Sequence, residues 1–313
     1  MSDFQSYKKM LREWAFEQEP VFIVGPERSG TSLLFQQVSN HPSFCDFSHA
    51  TVETFSFIRP WQLLEVAGSQ NYEMRVYLGA ANFTKFQESI RQLVERNKRL
   101  TENGMPLAYI NEPQRKDIWF ERRYKHVLRA FFHDSSINLG GKKLVEKTPA
   151  HIRCIDEIIA TFPKAKILVS TRDIGEIIAS HKKRFKKEIE LGKSADDPSI
   201  AWLAHSVENY LKYLANIEGI VQRLNKQYAV QVKIVPYGKL TQSPVNTLKD
   251  IYSFIGVENI NPENIQKERK TQDWDPLLNQ LPVVNEVELT HYLSPSEIKM
   301  IENEKSHFSD FWY

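Results

Sequence analysis

The chain has 313 residues, of which 41% are hydrophobic and 26% are charged. This length allows one large domain or two modest ones, each with a buried core. The formal net charge of +2 is too small to favour nucleic acid or an anionic membrane as a partner. The two cysteines, Cys45 and Cys154, form neither a disulfide framework nor a metal-ligand spacing. The sequence therefore predicts a reducing, cytoplasmic location.

The first part of the chain predicts a helix, a strand and a second helix. Residues 1–20 lack the pattern of a secretory signal, and we expect no membrane span, because no apolar run approaches about 18 residues. Residues 3–18 predict a short helix that Pro20 ends. Residues 21–24 are apolar and too few for a helix, so they predict a buried strand. Residues 31–40 predict the next helix.

The rest of the chain alternates between strand and helix patterns. Residues 50–140 are rich in aromatic and charged side chains and predict a mostly helical region. Strands are predicted at 143–147, 166–170 and 232–237, and helices at 152–162, 174–191, 206–224 and 245–255. Strands alternating with helices imply crossover connections, and hence an α/β fold with a mainly parallel sheet flanked by helices.

The absence of an internal repeat or a linker predicts a single domain over residues 1–313. Its core covers about residues 20–260, with an acceptor or lid region at about 50–140 and a C-terminal extension at about 261–313.

The stretch Gly25-Pro-Glu-Arg-Ser-Gly30 follows a predicted strand and opens a predicted helix, which is the context of a phosphate-binding loop. Its spacing matches G-x-x-x-x-G-K-S/T, except that Thr31 replaces the lysine that normally reaches the phosphates. This replacement argues against an ATPase or kinase. Backbone N–H groups at the helix start, the hydroxyls of Thr31 and Ser32, and the planar cation of Arg28 could still hold an anion.

Residues 21–34 resemble the 5′-phosphosulfate loop of sulfotransferases that use 3′-phosphoadenosine 5′-phosphosulfate (PAPS). The similarity is to the branch with tyrosylprotein and many bacterial sulfotransferases, whose loop reads roughly P-R-S-G-T-T-L-L. Here Glu27 separates the proline from the arginine. Residues 166–173, followed by Ser180, resemble the family's 3′-phosphate motif, a strand ending in arginine (Arg172) with a serine eight residues later. Such an arginine and serine can converge on one anion.

Two further segments extend the resemblance over about residues 20–260. Lys147 lies in a Lys-Thr-Pro segment like that of the same branch, and Tyr237 aligns with a tyrosine near the adenine. The resemblance implies a P-loop-type three-layer fold. It also implies transfer of a sulfuryl group from PAPS to an acceptor hydroxyl or amine by in-line displacement, with PAP as the product. We expect no metal, because a sulfuryl group carries less charge than a phosphoryl group.

The resemblance also implies roles for particular residues. The expected nucleotide-binding residues are Arg28, Ser29, Gly30, Thr31, Ser32, Arg172, Ser180 and Tyr237, and the expected catalytic residues are Glu53, Lys147 and Arg28. Lys147 would stabilise developing charge. Glu53 resembles the general base, although it stands further from His41-Pro42 than in the family, and His49 is the alternative. His151 is expected to be a packed or capping residue.

Several alternatives stay open at the level of sequence. A P-loop kinase or NTPase would need a magnesium-binding acid, for which Asp173 is the candidate, and an inactive PAP- or PAPS-binding protein is a further possibility. The basic run 181–187 is either a solvated helix face or a cationic wall, with Arg184 best placed to act. The acceptor could be a small molecule, a sugar, a lipid or a peptide, and the oligomeric state is not predicted.

Overall fold

The computed structural model describes residues 3–44, 53–54, 56–57, 125, 128–133, 135–137, 140–197, 200–266, 281–284 and 287–312. In chain order the helices and strands are α1 Asp3–Glu17, β1 Val21–Val24, α2 Thr31–Ser39, β2 Val145–Lys147, α3 Ile155–Thr161, β3 Lys166–Thr171, α4 Ile174–Glu190, α5 Val207–Gln227, β4 Val232–Pro236, α6 Tyr237–Gln242, α7 Pro244–Ile255, α8 Pro262–Gln266 and α9 Pro295–Glu304. Short 3₁₀ turns occupy Pro149–Cys154, Ala201–Leu203, Leu289–His291, Lys305–His307 and Asp310–Trp312.

The strands form one sheet in the order β2-β1-β3-β4. Strands β3 and β4 pair in parallel, with Ile167 opposite Val232 and Thr171 opposite Pro236. All four residues of β1 are buried, and so is every residue of β3 after Lys166. Continuous burial is typical of a parallel sheet that is covered on both faces. The predicted α/β fold, with a mainly parallel sheet flanked by helices, is confirmed.

Among the described residues, the predicted helices and strands agree with the observed ones to within a few residues, and the main difference lies around residue 152. Residues 149–154 form a 3₁₀ turn, and the regular helix α3 begins only at Ile155. Pro149 opens the turn, and Cys154 leaves the helical region with φ −124° and ψ 24°. The helix predicted at 152–162 is therefore wrong in its first turn. Strand β2 is also shorter than predicted, since it begins at Val145.

The chain divides into two compact units, each built from two segments. The first unit contains residues 1–22 and 42–166, and the second contains residues 23–41 and 167–313. The expected single domain stays a prediction. Most of the expected acceptor region, 50–140, lies outside the described residues. None of the helices in the described part of the chain is both long and apolar enough to cross a membrane.

Aromatic rings form much of the core of the first unit. Phe132 lies 5.7 Å from Phe22 and 5.2 Å from Phe162 between ring centroids, in edge-to-face contacts. Trp14 of α1 packs edge-on against Phe162 at 6.2 Å. Edge-to-face geometry places the positive edge of one ring on the negative face of another. These contacts join α1, β1 and α3 through rings that are distant in sequence.

In the second unit, α5 binds the C-terminal segment through the buried Glu218. Its carboxylate accepts hydrogen bonds from the Ser309 N–H at 3.1 Å, from the Ser309 hydroxyl, and from the Trp312 indole at 2.5 Å. The Thr171 hydroxyl, at the end of β3, donates to the Phe311 carbonyl at 2.5 Å. The C-terminal segment is therefore held at the strand end that precedes Arg172.

Candidate functional site

The loop between β1 and α2 has a strained backbone that brings several residues into a tight turn. Gly25, Arg28 and Gly30 have φ values of 150°, 70° and 97°. Arg28 is the non-glycine among them, and a left-handed conformation costs such a residue roughly 1–2 kcal/mol. The Ser170 hydroxyl at the end of β3 donates to the Ser29 carbonyl at 2.7 Å and helps to hold this conformation. Strain that its surroundings maintain is typical of functional loops.

Steric contacts also require glycine at positions 25 and 30. A Cβ atom on Gly25 would lie 2.4 Å from the Ser170 carbonyl oxygen. A Cβ atom on Gly30 would lie 2.5 Å from the ring of Tyr237, the first residue of α6. The loop therefore contacts the end of β3 and the Tyr237 ring so closely that side chains at these positions would collide.

The loop offers hydrogen-bond donors suited to an anion. Ser29 is fully buried, and its hydroxyl has no hydrogen-bond partner among the described residues. Helix α2 begins at Thr31 without a side-chain cap, so the N–H groups of its first turn lack partners within the helix. A buried donor without a partner costs about 1–3 kcal/mol, which an anion oxygen bound at the loop would recover.

Arg28 joins the loop to α4. Its Nε donates to the Ser180 hydroxyl at 3.1 Å, across 152 residues of sequence. Burial lowers the pKa of Arg28, and the nearby charges of Arg184 and Arg172 lower it further. Two further guanidinium groups thus lie close enough to disfavour the charge of Arg28, and an anion bound beside Arg28 would relieve this repulsion. The two stretches that carried the sequence argument, 25–30 and 166–180, therefore meet at Arg28 and Ser180.

Arg172 contacts the ring of Tyr237, which lies beside Gly30. Its guanidinium lies 4.3 Å from the centroid of the Tyr237 ring, a cation–π distance, and its Nε donates to Glu176 at 2.6 Å. Burial raises the pKa of Tyr237, although the charge of Arg172 counteracts this. Gly30, Tyr237 and Arg172 thus form a continuous surface next to the loop.

Asp173, the candidate magnesium ligand, caps a helix. Its carboxylate accepts from the Glu176 N–H at 3.1 Å at the start of α4 and pairs with Lys305 at 3.2 Å. Across the described residues, no group of three or more His, Cys, Asp and Glu side chains could hold a metal ion. Asp173 is therefore engaged as a helix cap and in an ion pair.

Glu27, which interrupts the family's loop pattern, is bound by α5. The Tyr213 hydroxyl donates to its carboxylate at 2.6 Å. Beside it, the buried ring of His181 stacks on Tyr210 with centroids 4.7 Å apart. Burial and the charge of Arg28 lower the pKa of His181 to about 4, although a bond with the Glu27 backbone opposes this. Sequence reasoning assigned no role to Tyr213 or Tyr210, because their separation from the loop hides this contact.

The basic run 181–187 divides between the two interpretations. His181 is buried and neutral, whereas Lys183, Lys186 and Lys187 are exposed on α4. Arg184 pairs with Glu188 and acts electrostatically on Arg28. The three exposed lysines therefore belong to a solvated helix face, whereas Arg184 lies close enough to Arg28 to act on its charge.

In the first unit, Lys147 and Glu53 form an ion pair. Lys147 ends β2, and its Nζ donates to the Glu53 carboxylate at 2.5 Å. The Lys147 side chain is 3% exposed, while that of Glu53 is 29% exposed. The two residues expected to be cation and base therefore lie in direct contact. The alternative base, His49, lies outside the described residues.

His151 is a packed residue, as expected. It is fully buried, its Nδ1 lies 3.1 Å from Glu146, and its Nε2 accepts from the Phe57 N–H at 3.1 Å. Both ring nitrogens are therefore occupied by hydrogen bonds within the first unit.

Comparison with solved structures agrees with this architecture. The sulfotransferase STF9 of Mycobacterium avium is 12% identical, with 98% of this chain and 81% of that one covered at a TM-score of 0.50. The sulfotransferase STF1 of Mycobacterium tuberculosis H37Rv is 18% identical, with coverages of 97% and 80% and a TM-score of 0.48. A sulfotransferase domain from the curacin biosynthetic pathway is 16% identical, with coverages of 93% and 98% and a TM-score of 0.48. The first of these supports the fold.

No curated protein sequence matches the chain significantly. A family model described as the sulfotransferase family, however, matches residues 20–262. This match spans well over half of the chain and confirms the resemblance drawn from its motifs. The protein therefore belongs to the sulfotransferase family and is an enzyme of sulfuryl transfer.

Proposed function

We propose that this sulfotransferase takes PAPS as its donor and that residues of the second unit bind it. The observation that carries the proposal is the hydrogen bond from Arg28 to Ser180, which joins the loop to α4. Together with Arg172 and Arg184, these residues suit a ligand that carries anionic groups at two positions. PAPS has such groups at its 5′ and 3′ positions, whereas ATP has no 3′-phosphate.

The loop residues Ser29, Gly30, Thr31 and Ser32 would hold the 5′-phosphosulfate. The buried Ser29 hydroxyl and the N–H groups at the start of α2 support this assignment. Arg28, Ser180 and Arg172 would bind the 3′-phosphate, and Arg28, itself a loop residue, would help to neutralise charge on both groups. Tyr237 would contact the adenine from its position beside Gly30.

Catalysis would depend on the ion pair of the first unit. In sulfuryl transfer a new S–O or S–N bond forms to the acceptor as the bond to the 5′-phosphate oxygen breaks. Glu53 would take the acceptor's proton. A general base of this kind accelerates a reaction by about 10²–10⁴-fold. Lys147 would orient Glu53 through their hydrogen bond and stabilise the charge that develops during transfer. The acceptor would be a hydroxyl or amine of a small molecule, sugar, lipid or peptide.

Thermal unfolding with added nucleotides tests the donor assignment. Adenosine 3′,5′-bisphosphate should raise the melting temperature, since a ligand at about 100 times its Kd stabilises the native state by about 2.7 kcal/mol. Replacing Ser180 by Ala should weaken this shift, because Arg28 loses its partner. Lys186→Ala is the matched control, since Lys186 is an exposed residue of the same helix.

The outcomes distinguish the alternatives. A shift with ATP and magnesium but not with the bisphosphate would overturn the proposal and favour an NTPase. A shift with the bisphosphate, together with no transfer from PAPS to a broad acceptor panel, would favour an inactive nucleotide-binding protein.

A further inference from the structure

Glu146 is a buried carboxylate that the proposed reaction does not use. It lies in β2 and is 2% exposed. One carboxylate oxygen accepts from the hydroxyls of Thr54 at 2.8 Å and Thr148 at 2.6 Å and from the Thr54 N–H at 3.3 Å. The other oxygen lies 3.1 Å from Nδ1 of His151. A buried charge with this many donors is a built feature of the first unit, because a poorly satisfied one would be very costly.

The direction of each hydrogen bond follows from the Phe57 N–H. A backbone N–H can only donate, so the Nε2 atom that accepts from it carries no proton. The proton of the neutral imidazole must therefore lie on Nδ1 and point at Glu146. Burial alone would raise the pKa of Glu146, but the contacts with His151, Thr148 and Thr54 outweigh it and lower the pKa. The Glu146 carboxylate therefore accepts from the Nδ1–H of His151, and Nε2 of His151 accepts from the Phe57 N–H.

This network holds the segment that carries Glu53. Thr54, the next residue, is bound to Glu146 through both its N–H and its hydroxyl. Phe57 is bound through His151, and its carbonyl also lies 3.6 Å from the Cys154 thiol. Lys147 follows Glu146 directly in β2, so their side chains leave the strand in opposite directions. Glu146 thus binds the segment that follows Glu53 and itself precedes Lys147 in β2. It therefore fixes the backbone next to each member of the Lys147–Glu53 ion pair.

We propose that Glu146, bridged by His151, is a positioning residue that sets the distance between Glu53 and Lys147. Its consequence for turnover depends on the proposed function, in which that pair serves sulfuryl transfer. Glu146 itself acts through its neighbours, since its carboxylate is fully used by hydrogen bonds within the protein.

Glu146→Gln tests this proposal, because glutamine keeps the size and one acceptor oxygen but places an N–H₂ group opposite the Nδ1–H of His151. The readout is labelling of Lys147 by trace acetic anhydride, measured by mass spectrometry as a ratio to Lys143. Lys143 is a suitable internal reference, since it also pairs with a glutamate, Glu19, at 3.2 Å. We expect the ratio to rise several-fold as Glu53 releases Lys147.

Turnover of PAPS should fall by about tenfold or more, because proton transfer depends on geometry. Affinity for adenosine 3′,5′-bisphosphate should be unchanged.

A second pair of variants keeps the test decisive if Glu146→Gln does not fold. His151→Gln can still offer one donor to Glu146 and one acceptor to Phe57, whereas His151→Ala offers neither. We expect the labelling ratio to stay near its normal value in His151→Gln and to rise in His151→Ala. A normal ratio in His151→Ala would overturn the proposal, whether or not Glu146→Gln folds. If the unaltered protein failed to bind the bisphosphate, the proposed function would fail, and the labelling ratio would still decide the role of Glu146.

Discussion

Arg28 combines a backbone conformation that costs free energy with a charge that suits an anionic ligand. Its backbone is left-handed, and its part-buried guanidinium lies near two other guanidinium groups. The hydrogen bond to Ser180 offsets part of this cost but leaves the positive charge in place. Such a residue is stable in the native state because its surroundings hold it, and an anion that binds there gains from interactions already in place.

Glu53 is the residue whose replacement most directly tests catalysis. Glu53→Gln should keep the contact with Lys147 but remove the proton acceptor, so sulfuryl transfer should fall by about 10²-fold or more. Binding of adenosine 3′,5′-bisphosphate, measured by calorimetry, should stay within about twofold, because the proposed nucleotide-binding residues are not altered. Near-normal turnover in this variant would exclude Glu53 as the base.

The resemblance to the family's motifs points to Arg28, Ser180, Arg172 and Tyr237, and the structure shows Arg28 in contact with Ser180 and Arg172 in contact with Tyr237. Their role in binding a nucleotide stays a prediction. The ion pair of Glu53 with Lys147 places the uncertain base beside the expected cation. The bond between Glu27 and Tyr213 depends on packing across 186 residues, which no local pattern encodes.

At the scale of elements, two helices begin with the same dipeptide but are stabilised differently. Helix α9 starts at Pro295, and the N-cap residue Ser294 forms a capping box with Glu297. Helix α7 starts at Pro244, and the side chain of its N-cap residue Ser243 makes no capping bond. The side chain of an N-cap serine stabilises a helix only when it reaches the free N–H groups of the first turn.

Replacing each serine by alanine should therefore have unequal effects. Ser294→Ala should lower the free energy of unfolding by about 1 kcal/mol, the usual loss for an N-cap. Ser243→Ala is the matched control and should change it by less than about 0.5 kcal/mol. Chemical denaturation of both variants gives the comparison, and equal losses would show that the capping box contributes nothing.

Element types were predictable where the pattern of apolar residues was clear, either as a helical stripe or as an uninterrupted run. Helix α5 and strands β1 and β3 agree with their patterns because burial of an apolar stripe or run determines them. The 3₁₀ turn at Pro149–Cys154 escaped prediction. Its residues are held by bonds such as that of His151 to Glu146, which depend on tertiary structure.

For the whole molecule, the buried His181 predicts a loss of stability in mild acid. In the unfolded chain histidine takes a proton near pH 6.5, whereas the pKa of folded His181 is about 4. Between these values the unfolded chain binds more protons, so stability falls as the pH decreases from about 6.5 to about 4. The full loss from this residue is roughly 3 kcal/mol, and it does not grow further below about pH 4.

Melting temperatures at pH 7.5 and pH 5.0 measure this effect. His181→Phe keeps a ring against Tyr210 but removes the titrating group, so its difference in melting temperature should be smaller than that of the unaltered protein. His307→Gln is the control, since the His307 side chain is 70% exposed and should leave most of the difference unchanged. An equal pH dependence in all three proteins would contradict the role of His181.

The division into two units, each made of two chain segments, has a consequence for protein synthesis. The first unit is fully translated at residue 166, together with Glu53 and Lys147, whereas the second joins residues 23–41 to residues 167–313. Arg28 and Glu27 therefore leave the ribosome long before the residues that bind them. Ser180 follows Arg28 by 152 residues, and Tyr213 follows Glu27 by 186 residues. Contacts of such separation form slowly. We expect nascent chains to acquire the ion pair before they can bind a nucleotide.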